Sequence, residues 1–324
     1  MAFPSNAELI VLAAPLATDT YYADLAEDIF DFHIAFVDRI GDGDEVIILA
    51  DAGAYDRYAD AVGEDRVALA PMQDIWMRDF APINPDGPIM FRYTAEGQGG
   101  GTQGQESADF VQDGLVDLAG SARLSFRGSP FLNDGGNFVE DHAGNAVVSR
   151  KFLSDNGLSE PQARKILRDL TKVRNVAFIE ADAPAGLQHA DGIVSFVDVN
   201  MLLVNAYPDD PSYARRLRAD LRRGLPGVEI HEIVTPYDGR ETNDERFASA
   251  CGLYVNALVT PSRVYFPQFG IPEDRVALER VRAVTSREVI PVPSGQVCSM
   301  GGGVRCMSWQ LRGKNASKLK AHFD

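Results

Sequence analysis

The sequence predicts an α/β fold built from repeated units of strand and helix. Short runs rich in β-branched and apolar residues alternate with stretches in which apolar residues recur at helical spacing. Several units start about fifty to sixty residues apart, a spacing typical of structural repeats, although the units share no visible residue identity. Hydrophobic residues make up 45% of the chain, which is enough apolar material for a large core.

Five runs are predicted as strands because each is short and apolar. In chain order they are 8–14, 45–50, 176–180, 201–207 and 264–269. Five amphipathic stretches are predicted as helices, namely 19–38, 107–122, 159–171, 212–223 and 273–284. The third helix starts with Ser159, Glu160 and Pro161, an N-cap residue followed by proline in the first turn.

A nucleotide-binding doubly wound sheet would also alternate strands and helices, but it normally has glycines at the first strand-to-helix turn. That turn here reads Ala-Ala-Pro-Leu-Ala over residues 13–17, so nucleotide binding is not predicted. The glycine-rich segment 97–104 lacks the strand and helix in register that a phosphate loop requires. We interpret it as a surface segment, either a mobile lid or a linker.

At 324 residues the chain could hold two average domains but equally one large domain of repeated α/β units, and we predict a single domain over residues 1–324. The formal charge of −16 disfavours nucleic-acid binding, which needs clustered Lys and Arg, and favours attraction of small cations. No apolar run is long enough for a membrane span, and residues 1–5 do not resemble a secretion leader. We therefore expect a cytoplasmic protein that binds neither membrane nor nucleic acid, as a monomer or homodimer.

The three cysteines are an odd number without CxxC or metal-type spacing, so no disulfide framework is expected. Cys306 follows the glycines 301–303 closely, and such a flexible backbone lets a substrate approach a nucleophile. The alternative is a small buried residue in a glycine turn.

Three further segments carry polar residues where a predicted strand meets a loop. In the first, Trp76, Arg78 and Asp79 lie close together before a proline, and this segment could also be a surface turn. The second, 133–137, places Asp134 on a turn before a strand at 138–140, and an ordinary hairpin would explain it. In the third, His189 and Asp191 lie two apart on an expected extended segment before a strand at 193–198, so they would point the same way.

Taken in order, these segments resemble the guanidine-modifying enzyme superfamily, in particular its agmatine deiminase and bacterial peptidylarginine deiminase branch. The resemblance covers almost the whole chain. It depends on Trp-Met-Arg-Asp at 76–79, Asp-Gly-Gly-Asn at 134–137, His-Ala-Asp at 189–191, Pro-Gln-Phe-Gly-Ile-Pro-Glu-Asp at 267–274, and Gly-Gly-Gly at 301–303 with Cys306. It implies a pseudo-fivefold α/β propeller (pentein) of ββαβ units with a central active site, and chemistry without a metal or organic cofactor.

The residues suggest a mechanism for such chemistry. Asp79 and Asp191 would hold a planar guanidinium by paired hydrogen bonds, and the Cys306 thiolate would attack its central carbon. His189 would protonate the departing ammonia and then deprotonate the water that hydrolyses the thiouronium intermediate. Asp134 would orient His189 and stabilise its charge.

The remaining candidates for substrate binding are Trp76, Arg78, Asn137 and Arg305. Arg305 precedes the nucleophile where the family commonly has His, so it would favour the thiolate but repel a second positive charge on the ligand. Ala81 replaces a usual Gly. The stretch 249–254 replaces a usual Ser-Tyr-x-Asn-Phe-Tyr pattern and deletes a Tyr and an Asn, which disfavours agmatine as the substrate.

The leading hypothesis is hydrolysis of a small guanidino molecule to a ureido product and ammonia. An amidinotransferase would use the same intermediate but pass the amidino group to an amine. A non-catalytic guanidinium-binding protein on the same fold is the alternative from another class. A two-metal guanidine hydrolase would need clustered Asp and His ligands, whereas the five histidines are scattered.

Overall fold

A computed structural model describes residues 7–182, 186–236 and 242–324 of the chain. The prediction that residues 1–5 are not a secretion leader concerns a segment outside the described residues. Where the chain is described, its strands are β1 Leu9–Ala13, β2 Glu45–Ala50, β3 Val67–Leu69, β4 Ile89–Arg92, β5 Arg127–Leu132, β6 Val139–Glu140, β7 Asn145–Ser149, β8 Asn175–Ile179, β9 Val194–Asp198, β10 Met201–Asn205, β11 Glu229–Ile233, β12 Leu258–Val259, β13 Arg263–Gln268, β14 Glu288–Pro293 and β15 Trp309–Leu311.

The helices of the same residues are α1 Ala26–Val37, α2 Tyr55–Val62, α3 Met77–Phe80, α4 Gly101–Ser121, α5 Lys151–Asp155, α6 Glu160–Thr171, α7 Pro211–Gly224, α8 Glu273–Val284 and α9 Gly313–Phe323. The start of α6 shows how sequence sets a boundary. Ser159 and Gln162 form a capping box, and Pro161 sits in the first turn, where its missing N–H costs nothing. No helix in the described ranges combines the length and apolar character needed to cross a membrane.

The described strands form five small sheets with the orders β15-β1-β2-β3, β4-β5, β6-β7-β8, β9-β10-β11 and β12-β13-β14. In each of the last three, an antiparallel pair is followed by one or two helices and a strand parallel to the second strand of that pair. The first sheet repeats this arrangement with β15 in place of the preceding strand, because β15 is antiparallel to β1 and β1 is parallel to β2. The chain is therefore an α/β protein of repeated units.

The first sheet shows how the core is divided. Along β1, Leu9 and Val11 face a cluster that includes Leu115 of α4 and Leu319 of α9. Residues 10 and 12 face the opposite cluster, which includes Phe32 of α1. Because successive strand side chains point to opposite faces, one apolar strand is covered by helices on both sides.

All five predicted strands and all five predicted helices are confirmed in type, with boundaries that shift by a few residues. The largest shifts are α4, which begins at Gly101 rather than at 107, and α1, which begins at Ala26 rather than at 19. The interpretation of 97–104 as a lid or linker is wrong for its second half, because residues 101–104 form the first turn of α4. The first half continues a 3-10 turn, Glu96–Gln98.

The segments that connect one sheet to the next are the parts of the fold that build the site. Asp79 lies between β3 and β4, Asp134 between β5 and β6, and His189 between β8 and β9. Asn256 lies between β11 and β12, and Cys306 between β14 and β15. Each of the five connections therefore contributes at least one polar or nucleophilic side chain to one region.

Candidate active site

The glycine loop before Cys306 is shaped by an aromatic ring. A side chain on Gly302 would lie 2.4 Å from Cζ3 of Trp76 and 2.9 Å from Cβ of Cys306, so only glycine lets the indole rest on this loop. Gly301 has φ of +97°, a backbone conformation that favours glycine. These glycines place the cysteine against Trp76.

A second glycine lies at the centre of the charged residues. A Cβ atom on Gly136 would lie 2.7 Å from His189 Nδ1, 2.8 Å from Asp79 Oδ1 and 3.2 Å from Asp191 Oδ2. Three side chains from two other connections therefore converge on one backbone position. Gly135 is equally constrained, because its Cβ would lie 2.0 Å from the carbonyl oxygen of Arg78.

His189 lies between two carboxylates. Its Nε2 is 2.8 Å from Asp134 Oδ2, and its Nδ1 is 3.6 Å from Asp79 Oδ1. Asp134 also accepts hydrogen bonds from the backbone N–H of Thr94 at 2.8 Å and from its hydroxyl at 2.7 Å. Burial opposes a charge on His189, but Asp79 and Asp134 outweigh it and raise its pKa to about 9. The imidazole is therefore a proton donor at neutral pH.

Asp79 is the carboxylate that faces the other nitrogen of this imidazole. It is buried and accepts a hydrogen bond from Gly136 N–H at 3.1 Å. Burial raises the pKa of Asp79 to about 7, partly opposed by His189 and reinforced by Asp134 and Asp191. An arriving cation would favour its ionised form.

Cys306 is nine-tenths buried and is the free cysteine of the chain. Asn256 Nδ2 donates to its Sγ at 3.0 Å, and Asp191 Oδ2 lies 3.9 Å away. Burial raises the pKa of Cys306 well above its usual range, and Asp191 and Asp79 raise it further, whereas Asn256 opposes this. The resting group is therefore a thiol.

Two cavities meet at Cys306. The first, about 210 Å³, is lined by Asp19, Tyr21, Tyr22, Gln73, Asp74, Trp76, Asp79, Tyr93, Gly97, Gln98, Leu187, Arg246, Phe247, Met300, Gly301 and Cys306. The second, about 320 Å³, also reaches Cys306, and its other lining residues include His189, Asp191, Tyr207, Leu253 and Asn256. Asp79 and Asp191 thus lie on the two sides of the sulfur.

The structure brings together six of the nine residues predicted for the site: Cys306, His189, Asp134, Asp79, Asp191 and Trp76. Their proposed roles stay predictions. His189 and Asp191 reach one cavity for a reason other than the extended segment predicted, since Ala190–Gly192 is a 3-10 turn that directly follows His189.

The side chains of Arg78, Asn137 and Arg305 are absent from the described lining of both cavities. Arg78 is buried and donates from Nη2 to Gln310 Oε1 at 2.7 Å. Asn137 donates to Asn133 and accepts from the backbone N–H of Ser149, so it supports the turn. Arg305 binds Asp191 at 3.2 Å. The prediction that these three contact substrate directly is therefore not supported by their positions.

Two sequence interpretations need correction. Asn256 is missing from the predicted site because the comparison with the family pattern covers only 249–254 and treats its Asn as deleted. The expectation of no disulfide is wrong, since Cys251 and Cys298 form one across a separation of 47 residues. The alanine at 81 imposes no strain because its φ of −88° is open to any residue.

Within the described ranges, no three His, Cys, Asp or Glu side chains are arranged to hold a metal ion. The absence of a metal or organic cofactor from the chemistry stays a prediction.

The sequence is similar to curated agmatine deiminases. It is 26% identical over 310 residues to agmatine deiminase of Stutzerimonas stutzeri (strain A1501) and 25% identical over 310 residues to that of Pseudomonas aeruginosa (strain LESB58), with 82% of each chain covered in both cases. The structure superposes on C. jejuni agmatine deiminase with a TM-score of 0.76 at 17% identity, covering 96% of this chain and 95% of that one. This likeness shows a shared α/β fold. Residues 4–311 match the Porphyromonas-type peptidyl-arginine deiminase family, so the chain belongs to that family.

Proposed function

We propose that this protein hydrolyses the guanidino group of a small molecule to a ureido group and ammonia. The observation that carries the proposal is the convergence of Cys306, His189, Asp79 and Asp191 at the junction of two cavities. The names of the curated relatives, agmatine deiminases, support the same reaction. A cysteine or a histidine alone would support the proposal less strongly than this combination does.

In the binding step, the substrate's planar cation lies between Asp79 and Asp191, each of which accepts hydrogen bonds from N–H groups of the guanidinium. The Trp76 ring offers an apolar wall on the first cavity, where a flat cation can stack. This placement brings the guanidinium carbon next to the Cys306 sulfur. The arriving positive charge also favours loss of the thiol proton to solvent, which burial otherwise disfavours.

In the first chemical step, the Cys306 thiolate forms a bond to the guanidinium carbon and gives a tetrahedral adduct. His189 in its protonated form donates a proton to one nitrogen, the C–N bond breaks, and ammonia leaves. The product of this step is a thiouronium on Cys306. Asn256 contributes its Nδ2–H to the sulfur whenever the sulfur carries negative charge.

In the second step, neutral His189 accepts a proton from water, and the resulting hydroxide adds to the thiouronium carbon. The C–S bond then breaks as the hydroxyl proton of the adduct is lost to solvent, which releases the ureido product and restores the thiolate. Asp134 keeps the imidazole oriented throughout, because its two oxygens are themselves fixed by His189 and Thr94.

The proposal extends to the whole chain. The five described sheets and the five connections that meet at the site support a closed fivefold propeller and a single catalytic domain of residues 1–324. A small guanidino molecule is the proposed partner. The homodimer and the cytoplasmic location stay predictions.

Ammonia release from agmatine, free arginine and a peptidyl arginine, without any added amine, tests the proposal. The wild-type protein is expected to release ammonia from at least one of them, and Cys306→Ser is expected to release none while unfolding at a similar temperature. Turnover only after an amine is added would indicate the amidinotransferase instead. Binding of the guanidine without any turnover would indicate the non-catalytic alternative.

A further inference from the structure

The side chain of Arg305 faces the protein interior, although the residue is next to the nucleophile. Its Nε donates to Asp191 Oδ2 at 3.2 Å, and its Nη2 donates to the carbonyl oxygen of Phe138 at 3.0 Å. The side chain is 11% exposed. One end of the guanidinium is thus tied to the backbone just before β6, and the other holds a site carboxylate.

Asp191 needs such a partner because it is 2% exposed and is surrounded by other charged or ionisable groups. Those that interact with it are Asp79, His189, Cys306, Arg78 and Arg305. Two of these, Asp79 and an ionised Cys306, would repel the carboxylate. Of the cations, His189 is bonded to Asp134, and Arg78 donates to Gln310.

Among the residues that the structure describes, Arg305 is therefore the cation that hydrogen-bonds directly to Asp191. The oxygen that it holds, Oδ2, is the one that lies 3.9 Å from the Cys306 sulfur. Fixing this oxygen fixes the distance between a carboxylate and the nucleophile, and it leaves Oδ1 for an arriving cation. A buried charge-assisted hydrogen bond of this kind both orients and stabilises the carboxylate.

We infer that Arg305 is a positioning residue for the reaction, which acts by holding the Asp191 carboxylate in place and does not contact the substrate. The inference rests on the proposed function, because a role for Asp191 in guanidinium binding is part of that proposal. It also explains how Arg can occupy this position without repelling a cationic substrate, since its charge is already matched by Asp191.

The first test compares pH profiles of kcat/KM for ammonia release. Arg305→Gln is expected to lower kcat/KM about 100-fold, as misplacement of a binding group does, and to move the acidic limb to higher pH. The limb moves up because the carboxylates of the site take up protons more readily once the cation is gone. Arg305→Lys keeps the charge but not the planar two-point geometry, so it is expected to retain the wild-type acidic limb with a lower kcat.

The chain offers a matched control in Arg287, whose side chain is 13% exposed and likewise lies between a carboxylate and a backbone oxygen. Its Nη1 lies 3.0 Å from Asp198 Oδ1 and donates to the Val197 carbonyl oxygen at 2.7 Å, away from both cavities. Arg287→Gln is expected to lower the unfolding temperature without moving the acidic limb. An acidic limb that is the same in the Arg305→Gln and Arg287→Gln variants would overturn the inference.

The second test needs no substrate and therefore distinguishes this inference from the proposed function. Iodoacetamide alkylates Cys306, since the other two cysteines are bonded to each other. Arg305→Gln is expected to slow alkylation at neutral pH about tenfold, the equivalent of one pKa unit, by leaving the Asp191 carboxylate uncompensated beside the sulfur. In an Asp191→Asn background the same substitution is expected to have little effect.

Equal slowing in both backgrounds would show that Arg305 acts on the sulfur directly and would contradict the inference. If Arg305→Gln does not fold, Arg305→Met, which also removes the charge, takes its place in both backgrounds. It is then expected to slow alkylation only where Asp191 is present. Failure of the wild-type protein to release ammonia would contradict the proposed function but leave this test unchanged.

Discussion

The pKa values of the ionisable groups in the site suit the different roles of proton donor, cation binder and nucleophile. Two carboxylates raise the pKa of His189 to about 9, and burial raises that of Asp79 to about 7. Burial also keeps Cys306 as a thiol until a cation arrives. The site therefore holds a proton donor in place and generates its nucleophile only when substrate is bound.

The first prediction concerns the pH dependence of kcat/KM. As the pH falls through about 7, Asp79 takes up a proton and no longer holds the guanidinium, so kcat/KM declines. As the pH rises through about 9, His189 loses the proton that it gives to the departing ammonia, so kcat/KM declines again. A bell-shaped profile is expected between these values.

Asp134→Asn serves as the check on this profile. Removing the carboxylate that stabilises the imidazolium lowers the pKa of His189, so the alkaline limb is expected to move to lower pH. A profile that is flat from pH 7 to 9, or an alkaline limb that Asp134→Asn leaves in place, would contradict the roles assigned here.

For individual residues, the sequence predicts which side chains take part in the chemistry but not which atoms they contact. Asp79, Asp134, His189, Asp191 and Cys306 are visible because their residue types fit one reaction. Asn256 is harder to find, because an uncharged amide has few sequence signals and its contact with the sulfur arises only from folding. The inward direction of Arg305 is equally invisible, since a cation beside a nucleophile is compatible with either direction.

At the scale of loops and helices, glycines and one disulfide shape the site. Gly136 leaves room for His189, Asp79 and Asp191 to converge, and Gly302 leaves room for Trp76. The disulfide joins Cys251, in the connection that carries Asn256, to Cys298, at the start of the turn that leads to the glycine loop. Two walls of the second cavity are thus linked covalently.

The second prediction is that Gly136→Ala abolishes most activity. The added methyl group would lie under 3.0 Å from His189 Nδ1 and Asp79 Oδ1, so one of the two must move. Misplacement of a catalytic group by about 1 Å can reduce the rate about 100-fold. Gly128→Ala in β5 is the matched control, because nothing lies within 4 Å of its Cβ position, and its ammonia release is expected to match wild type. Near-normal kcat in Gly136→Ala would contradict the assigned convergence.

The third prediction concerns the disulfide. It closes a loop of 47 residues, so reduction is expected to lower the free energy of unfolding by about 2–4 kcal/mol. Denaturant unfolding with and without dithiothreitol measures this difference. The double variant with Cys251→Ser and Cys298→Ser is expected to have the lower stability in both conditions, and a wild-type stability insensitive to the reductant would contradict the pairing.

At this scale the sequence predicts the long apolar elements well and the short ones poorly. Runs such as β2 and helices such as α8 have the periodicity and length that identify them. β12 has only two residues, too few for any period to show, whereas β6, of equal length, lies within the strand predicted at 138–140. The first turn of α4 is missed because Gly100 to Gly104 has weak helix propensity and is held instead by the backbone around it.

For the molecule as a whole, the pairing of β1 with β15 joins the two ends of the described chain in one sheet. The site lies where the connections between all five sheets meet. Neither feature can be derived from a single run of the sequence, since both depend on contacts between residues as far apart as Leu9 and Leu311. The family resemblance supplied what periodicity could not, namely that remote segments share one pocket.

The fourth prediction follows from this arrangement. Because the first and last strands share a sheet and the site draws on every connection, we expect one cooperative unfolding transition. Loss of ammonia release and loss of far-ultraviolet circular dichroism should share one midpoint in urea. Two resolved transitions would contradict a single domain over residues 1–324.

The central claim is that the Cys306 sulfur attacks a guanidinium carbon held between Asp79 and Asp191. Its most direct test is mass spectrometry of protein quenched with acid during turnover of the substrate found in the ammonia screen. The account predicts an adduct on the peptide that contains Cys306, with the mass of the substrate minus ammonia, and none in Cys306→Ser. Continued ammonia release by Cys306→Ser, or an adduct on any other residue of the active protein, would contradict it.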